Sequence, residues 1–164
     1  MALIKAGQLV DDAFVYVTDD GALPAAGAVI VSLECWQSSR DALLRRDEPV
    51  GVRLRSDEPP ELIGAGIEKL AVIALEFPAF RDGRAYSYAR LLREKYAYLG
   101  ELRAVGDVLL EQLHFMVRTG FDAFEIDSED PIGDYQVAAE DFSVWYQPTA
   151  DGRSTATELR RQRR

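Results

Sequence analysis

Two arginines flank a short turn in the middle of the chain, in the segment Arg81-Asp82-Gly83-Arg84. Asp-Gly is typical of a turn, and a helical pattern of apolar positions begins near Ser87. The N–H groups at a helix start favour anions, and a guanidinium adds paired donors suited to a carboxylate, a phosphate or a sulfur oxyanion. This loop is therefore a candidate site for an anion or for an acidic group of a partner. The alternative is scaffolding, in which both arginines form ion pairs with Asp107, Glu76 or Glu125.

A second pair of opposite charges follows, with Arg103 inside a predicted strand and Asp107 at the predicted start of a helix. A charge within a parallel strand is costly unless it is paired or faces a polar cavity. A binding role and a structural role both fit this pair. The candidate anion- or partner-binding residues are Arg81, Asp82, Arg84, Ser87, Arg103 and Asp107.

His114 is the single histidine of the chain. It shares a predicted helix face with Asp107, Glu111 and Arg118, at spacings of three or four residues. Such a face is typical of a solvated stripe with favourable charge pairs, so we expect no catalytic imidazole.

Cys35 is the single cysteine, which excludes an intrachain disulfide, a CxxC redox pair and a self-contained iron–sulfur site. Because it follows a buried strand with no histidine nearby in sequence, a packed thiol is expected rather than a nucleophile. Several aromatic residues are expected in the core or at its rim, although one of them could belong to a partner surface. They are Trp36, Phe77, Phe80, Trp145 and Tyr146.

No cofactor or catalytic motif is present. Gly64-Ala65-Gly66 is similar to part of a dinucleotide-binding loop, but it lies in a predicted helical segment and Lys69 occupies the third glycine position. Walker, nucleophile-elbow, HExxH and multi-histidine patterns are missing. The residues therefore predict no cofactor and no metal site, and they single out no acid–base couple and no reaction.

The elements that would position these residues are strands alternating with helices. Apolar runs lie near residues 28–33, 50–54, 70–77, 102–105, 121–126 and 142–146, and residues 1–17 have the pattern of a β-hairpin. This alternation predicts an α/β fold of repeated βαβ units, with a mainly parallel sheet of about six strands. The predicted helix starts are Ser38 or Ser39, Pro59-Pro60, Asp82 or Ser87, and Asp107, and the predicted stops are Gly100 and Gly120.

Two architectures fit the strands. Three strands alternate in polarity and place Arg53, Glu101, Arg103 and Glu125 on one side. The sheet is then either doubly wound, with these strands near its edges, or a sequential barrel-like or half-barrel array with a partly polar concave face. Strand starts recur about every 21 residues with one longer interval, which favours the sequential array.

The length and the charge of the chain further limit the class of protein. The chain has 164 residues and a formal charge of −9, which fits one domain and disfavours nucleic acid as a partner. It carries no signal peptide and no apolar run long enough for a membrane span, so a cytoplasmic location without membrane contact is expected. We predict one α/β domain over residues 1–147 and a flexible basic tail over residues 148–164, which has a net charge of +3.

The segments FPAFRDGRAYSYARLLRE, GELRAVGDVLLEQL and RTGFDAFE together resemble a proteobacterial family, domain of unknown function 934. The resemblance extends from the N-terminal hairpin to residue 147. Members are typically encoded beside an assimilatory sulfite or nitrite reductase haemoprotein, and they are often labelled probable oxidoreductases of sulfite reduction. The resemblance thus implies a pathway, sulfur assimilation, without implying a reaction.

Three functions are compatible with these observations. The first is an accessory protein of sulfite reduction that docks on the sulfite reductase haemoprotein or its electron donor. The second is a small enzyme that binds an anionic small molecule, an oxyanion or a phosphorylated substrate, at the carboxyl ends of the strands. The third is a homo-oligomeric module that buries its sheet face against a second copy.

Overall fold

The computed structural model of the protein describes residues 1–18, 21–140, 143–149 and 151–162. Within these residues the chain forms eight strands, five α-helices and two 3-10 turns. The strands are β1 (Ala2–Lys5), β2 (Gln8–Val10), β3 (Phe14–Tyr16), β4 (Ala28–Ser32), β5 (Val50–Leu54), β6 (Val72–Phe77), β7 (Glu101–Gly106) and β8 (Ala123–Ile126). The helices are α1 (Leu33–Leu43), α2 (Arg84–Glu94), α3 (Leu110–Thr119), α4 (Pro131–Glu140) and α5 (Ala156–Gln162), and the 3-10 turns span Pro60–Ile63 and Ile67–Lys69. No helix in this described part is long and apolar enough to cross a membrane.

All eight strands belong to one sheet, in the order β2-β1-β8-β7-β6-β5-β4-β3. Strands β3 to β8 are parallel and lie side by side in the order of the chain. The hairpin of β1 and β2 joins the sheet antiparallel to β8. The predicted sequential half-barrel with an N-terminal hairpin is therefore confirmed. A doubly wound sheet is excluded, because its strand order would reverse along the chain.

The sheet must curl strongly. Strands β2 and β3 stand at its opposite ends, yet only residues 11–13 join them. A link of this length spans at most about 14 Å, whereas the outer strands of a flat eight-stranded sheet lie about 34 Å apart. Two side-chain contacts close the same gap, between Asp12 and Arg103 of β7 and between Tyr16 and Glu125 of β8. The face that these contacts cross is the concave face.

Side chains alternate between the two faces of each strand. In β7, Leu102 and Ala104 join the large core under the helices, whereas Val105 joins a small cluster on the concave face with Ile30, Val72, Ala74 and Phe14. Glu101 and Arg103 share the side of Val105. The concave face is therefore partly apolar and partly charged, as the alternating strands predicted.

Two helix starts differ from the prediction. Helix α1 begins directly after β4, with Ser32 as its N-cap accepting a hydrogen bond from the backbone N–H of Cys35, so Cys35 lies inside the helix. Helix α3 begins at Leu110 with Leu109 as its N-cap, so Asp107 does not cap it. Helix α2 has Gly83 as its N-cap, beside the predicted start at Asp82, and it ends at Glu94, before the predicted stop at Gly100. The end of α3 at Gly120, in the left-handed conformation, is as predicted.

No α-helix follows the predicted helix start at Pro59-Pro60, because this segment forms the two 3-10 turns. Gly64 and Gly66 both have positive φ angles, of 70° and 97°, which interrupt a regular helix.

Two predicted strands also need correction. The N-terminal hairpin ends at Val10, and Phe14–Tyr16 crosses to the other end of the sheet to pair in parallel with β4. Of the predicted strand over residues 142–146, Phe142 lies outside the described residues. The described remainder forms one isolated bridge, from Trp145 to Thr155.

The domain boundary at residue 147 stays a prediction. The segment beyond it, predicted as a flexible tail, contains helix α5 and two buried residues, Thr155 and Ala156. Asp151 in this segment accepts a hydrogen bond from Arg118 of α3 at 3.2 Å.

Candidate functional site

The predicted loop is held together by its own charges. Arg84 donates from Nε to Asp82 at 2.9 Å and from Nη2 to the hydroxyl of Ser56 at 2.9 Å. Hydrogen bonds from Arg84 hold the pKa of the Asp82 carboxyl well below its usual range. Arg84 therefore connects the loop before α2 to the residues after β5, and part of its guanidinium is already used.

Arg103 is an interior cation. Its side chain is 1% exposed, and its guanidinium contacts Glu101 at 2.7 Å, Asp12 at 2.7 Å and Glu125 at 3.2 Å. Lys5 adds a fourth contact to the group, with Glu101 at 2.8 Å. Burial opposes the charged form of Arg103, but the bonds to Asp12 and Glu101 raise its pKa above the usual value. We call Lys5, Asp12, Glu101, Arg103 and Glu125 the interior ion cluster.

Tyr16 extends the interior ion cluster toward β3. Its hydroxyl donates to Glu125, and burial together with that carboxylate raises the pKa of the tyrosine. The phenol therefore stays neutral and acts as a donor at physiological pH. This bond ties the edge strand β3 to β8 across the concave face.

The six predicted site residues do not converge on one point. Asp82 and Arg84 contact each other, whereas Arg103 lies in the interior and pairs with Glu101, Asp12 and Glu125 instead of the expected Asp107. The reason is that Arg103 lies on the concave side of β7, whereas Asp107 lies exposed beyond the end of that strand. Ser87 and Arg81 are also exposed, and Arg81 makes no hydrogen bond or ion pair within the described part of the chain.

The face of α3 around His114 is covered, not solvated as predicted. His114 is 8% exposed, and its ring centroid lies 4.6 Å from that of Trp145. The guanidinium of Arg118 lies 4.5 Å from the same tryptophan ring. The helix pattern alone could not identify this cover, because it comes from a distant segment. Cys35, expected as a packed thiol, is half-buried and packs against the main core.

An exposed aromatic groove lies between α2 and α3, beside the predicted loop. Phe80 and Phe115 are 57% and 61% exposed, and Tyr86, Gln112 and Thr119 line the groove between them, with a volume of about 530 Å³. We call this the aromatic groove. Phe80 was expected in the core or at its rim, as one of five aromatic residues of which one could belong to a partner surface, and Phe115 was not singled out. The available signal was the position of Phe115 outside the apolar stripe of Leu113 and Met116.

A second cavity of about 370 Å³ opens where β3 to β6 end, and both apolar and charged residues line it: Tyr16, Val17, Thr18, Ile30, Val31, Ser32, Glu34, Arg53, Arg55, Glu58 and Glu76. Arg53 contacts Glu76 there at 2.9 Å, and Arg55 contacts Glu58 at 2.9 Å. We call it the sheet mouth. Within the described residues, no group of three or more histidine, cysteine, aspartate and glutamate side chains is arranged to hold a metal ion.

Comparison with known proteins adds one finding. A family model described as "Bacterial protein of unknown function (DUF934)" matches residues 51–157, from β5 to the start of α5. It therefore includes the predicted loop, the interior arginine and the aromatic groove, and it extends ten residues past the predicted boundary at 147. The similarity expected for the N-terminal hairpin lies outside the matched range. No curated protein matches the chain. Because the family model covers well over half of the sequence, the chain belongs to the bacterial DUF934 family, whose function is unknown.

Proposed function

We propose that the chain is a cytoplasmic accessory protein of assimilatory sulfite reduction that docks on a reductase or on its electron donor. The pathway follows from the family resemblance. The observation that carries the docking is the aromatic groove, an exposed apolar surface directly beside the loop that the sequence singled out. Exposed apolar patches with aromatic residues are typical of protein–protein contact sites.

The groove has the features of an anchor site. Phe80 and Phe115 each leave more than half of their surface in water, where burial against a partner would stabilise a complex. Between them, Gln112 is 8% exposed, and its Oε1 atom has no hydrogen-bond partner within the described residues. This oxygen lies beneath the surface and out of a partner's reach, so the two phenylalanine rings form the anchor.

Charged residues beside the aromatic groove can orient a docking partner. Arg81 follows Phe80 in the chain and is exposed without an ion pair to the described residues, so it can meet an acidic group of a partner. Asp82 and Arg84 hold the loop in place. The formal charge of −9 favours encounter with a partner that is basic elsewhere on its surface.

A retention experiment with an assimilatory sulfite reductase haemoprotein tests the proposal. The wild-type chain should retain the reductase, and Phe115→Ser should weaken the complex by about thirtyfold, the effect of losing a hot-spot aromatic residue. The matched control is Leu99→Ser, since Leu99 is 94% exposed and lies outside the groove. Arg81→Glu should lower retention further at low salt than at high salt.

Three outcomes would reject the proposal. One is no retention together with unchanged reductase kinetics. Another is an equal loss of binding in Phe115→Ser and Leu99→Ser. The third is a wild-type dimer in light scattering that Phe115→Ser converts to a monomer, because the groove would then serve a second copy of the chain.

A further inference from the structure

We propose that the sheet mouth binds a small organic acid that also carries a hydroxyl or an ammonium group. The mouth lies where four consecutive parallel strands end, and its residues include Tyr16, Ser32, Arg53 and Glu76 at or next to the last positions of those strands. Carboxyl ends of parallel strands are where sequential α/β sheets collect their ligands. A cavity of about 370 Å³ matches the lower range of small-molecule sites.

Arg53 supplies the binding group for an acid. Its Nη2 atom contacts Glu76 at 2.9 Å, which fixes the direction of the guanidinium, and its side chain is 42% exposed. Its Nε atom is buried beyond the reach of a ligand, so the exposed part of the guanidinium supplies the donors that Glu76 does not take. A guanidinium that is oriented by one carboxylate and still has unused donors suits a second oxyanion.

The carboxylates of the mouth exclude a ligand that is only an anion. Glu34, Glu58 and Glu76 line the same cavity as Arg53 and Arg55, so acidic groups outnumber basic ones by one. Glu58 and Glu76 are paired with the two arginines, whereas Glu34 is exposed in the first turn of α1. A ligand must therefore offer a hydroxyl or ammonium donor to these carboxylates as well as an acceptor to Arg53.

The sheet mouth and the aromatic groove share no residue. A failure of reductase docking therefore leaves the ligand proposal standing, and the reverse also holds. Variants in one site can be tested for loss at the other, which separates local effects from unfolding.

Calorimetric titration tests the inference with L-serine and D-glycerate, which carry both kinds of group, and with acetate and glycerol, which carry one each. Wild-type protein should bind at least one of the first two saturably below about 10 mM, and neither half-probe to the same extent. Arg53→Met should weaken that binding at least about tenfold, whereas Arg90→Met, which removes an exposed arginine of α2, should leave it unchanged.

Arg53→Lys provides a second variant if Arg53→Met fails to fold. Lysine keeps the charge but lacks the planar fork, so the same weakening is expected. The inference is overturned if neither bifunctional probe binds, if acetate or glycerol binds equally well, or if the folded Arg53 variant retains wild-type affinity.

Discussion

Replacing Arg103 by methionine is the most direct test of the interior ion cluster. The side chain is 1% exposed and contacts three carboxylates within 3.2 Å. Methionine approximates the aliphatic length of arginine and removes its charge. After the change, Glu101 keeps Lys5 at 2.8 Å, but Asp12 loses its ion pair and Glu125 keeps only the hydroxyl of Tyr16.

Removing one partner of a buried ionic group costs about 3–5 kcal/mol. Because Glu101 keeps Lys5 and Asp12 is partly exposed, a loss near the lower end, about 3 kcal/mol, is expected here. For a chain of this length this lowers the melting temperature by about 6–12 °C. The matched control is Arg90→Met, which removes an exposed pair with Glu94 on α2 and should cost about 0.5 kcal/mol or less. The loss of stability should be greatest in the link between β2 and β3, since Asp12 attaches this link to the sheet.

A second substitution distinguishes a lost charge pair from simple loss of packing. Once Arg103 is gone, Glu125 keeps only a neutral donor, the hydroxyl of Tyr16, and its side chain is 14% exposed. Removing the charge of Glu125 should therefore relieve part of the deficit, whereas it would add a further cost if packing alone had been lost.

Urea unfolding at pH 8, followed by far-UV circular dichroism, measures this deficit. Adding Glu125→Gln to Arg103→Met should recover part of the loss, because one uncompensated charge is removed. A deficit below about 1 kcal/mol at pH 8, or a double variant that is no more stable than Arg103→Met, would refute the reasoning.

Two further predictions concern the backbone and the C-terminal segment. Gly106 and Gly27 both have a φ angle of 92°, but a Cβ atom on Gly106 would lie 2.5 Å from the carbonyl oxygen of Phe77, and one on Gly27 would meet nothing within 4 Å. Gly27→Ala should therefore cost about 1–2 kcal/mol from backbone strain alone, and Gly106→Ala a further 1–3 kcal/mol or so, measured by urea unfolding; equal costs would exclude the clash. Burial tends to raise the pKa of Asp151, but the N–H of the residue two positions on, a neighbouring hydroxyl and Arg118 lower it overall. Its contribution to stability is thus present above the unfolded pKa of about 3.9 and lost as the pH falls through the lower folded value, and Asp151→Asn should remove this acid-dependent loss without changing the slope above pH 5.

Much of the parallel sheet could be predicted from local pattern, and the reason lies in its strands. The runs that became β4 and β6 are apolar on both faces, which only a sheet covered on both sides explains. The alternation in β5, β7 and β8 required one partly polar face but fitted both architectures, and the recurrence of strand starts about every 21 residues favoured the sequential order that the structure has. Strand β3 could not be assigned in this way. The three residues Phe14–Tyr16 fit a hairpin as well as an edge strand. Their pairing with β4 depends on contacts such as that of Asp12 with Arg103, about ninety positions further along the chain.

The candidate site was predictable where it depended on neighbours in sequence. Asp82 and Arg84 pair across an Asp-Gly turn, and their closeness in sequence makes this pairing predictable. The charge of Arg103 indicated that some carboxylate must lie near it, but not which of the many acidic residues. The exposed position of Phe115 follows from helical phase, and the cover over His114 depends on Trp145, which no periodicity connects to α3.

The scaffolding role of Arg103 and a binding role for the sheet mouth support each other. Asp12 reaches Arg103 only because the link of residues 11–13 crosses the concave face, and this crossing delivers Tyr16 to β3 at the wall of the mouth. Tyr16 is then held by Glu125, which also contacts Arg103. The interior ion cluster thus closes the sheet on one side and completes a cavity at the ends of β3 to β6. The sequence indicated Arg103 as a candidate ligand contact. Its role in the structure is instead to hold the wall of the cavity in which a ligand would lie.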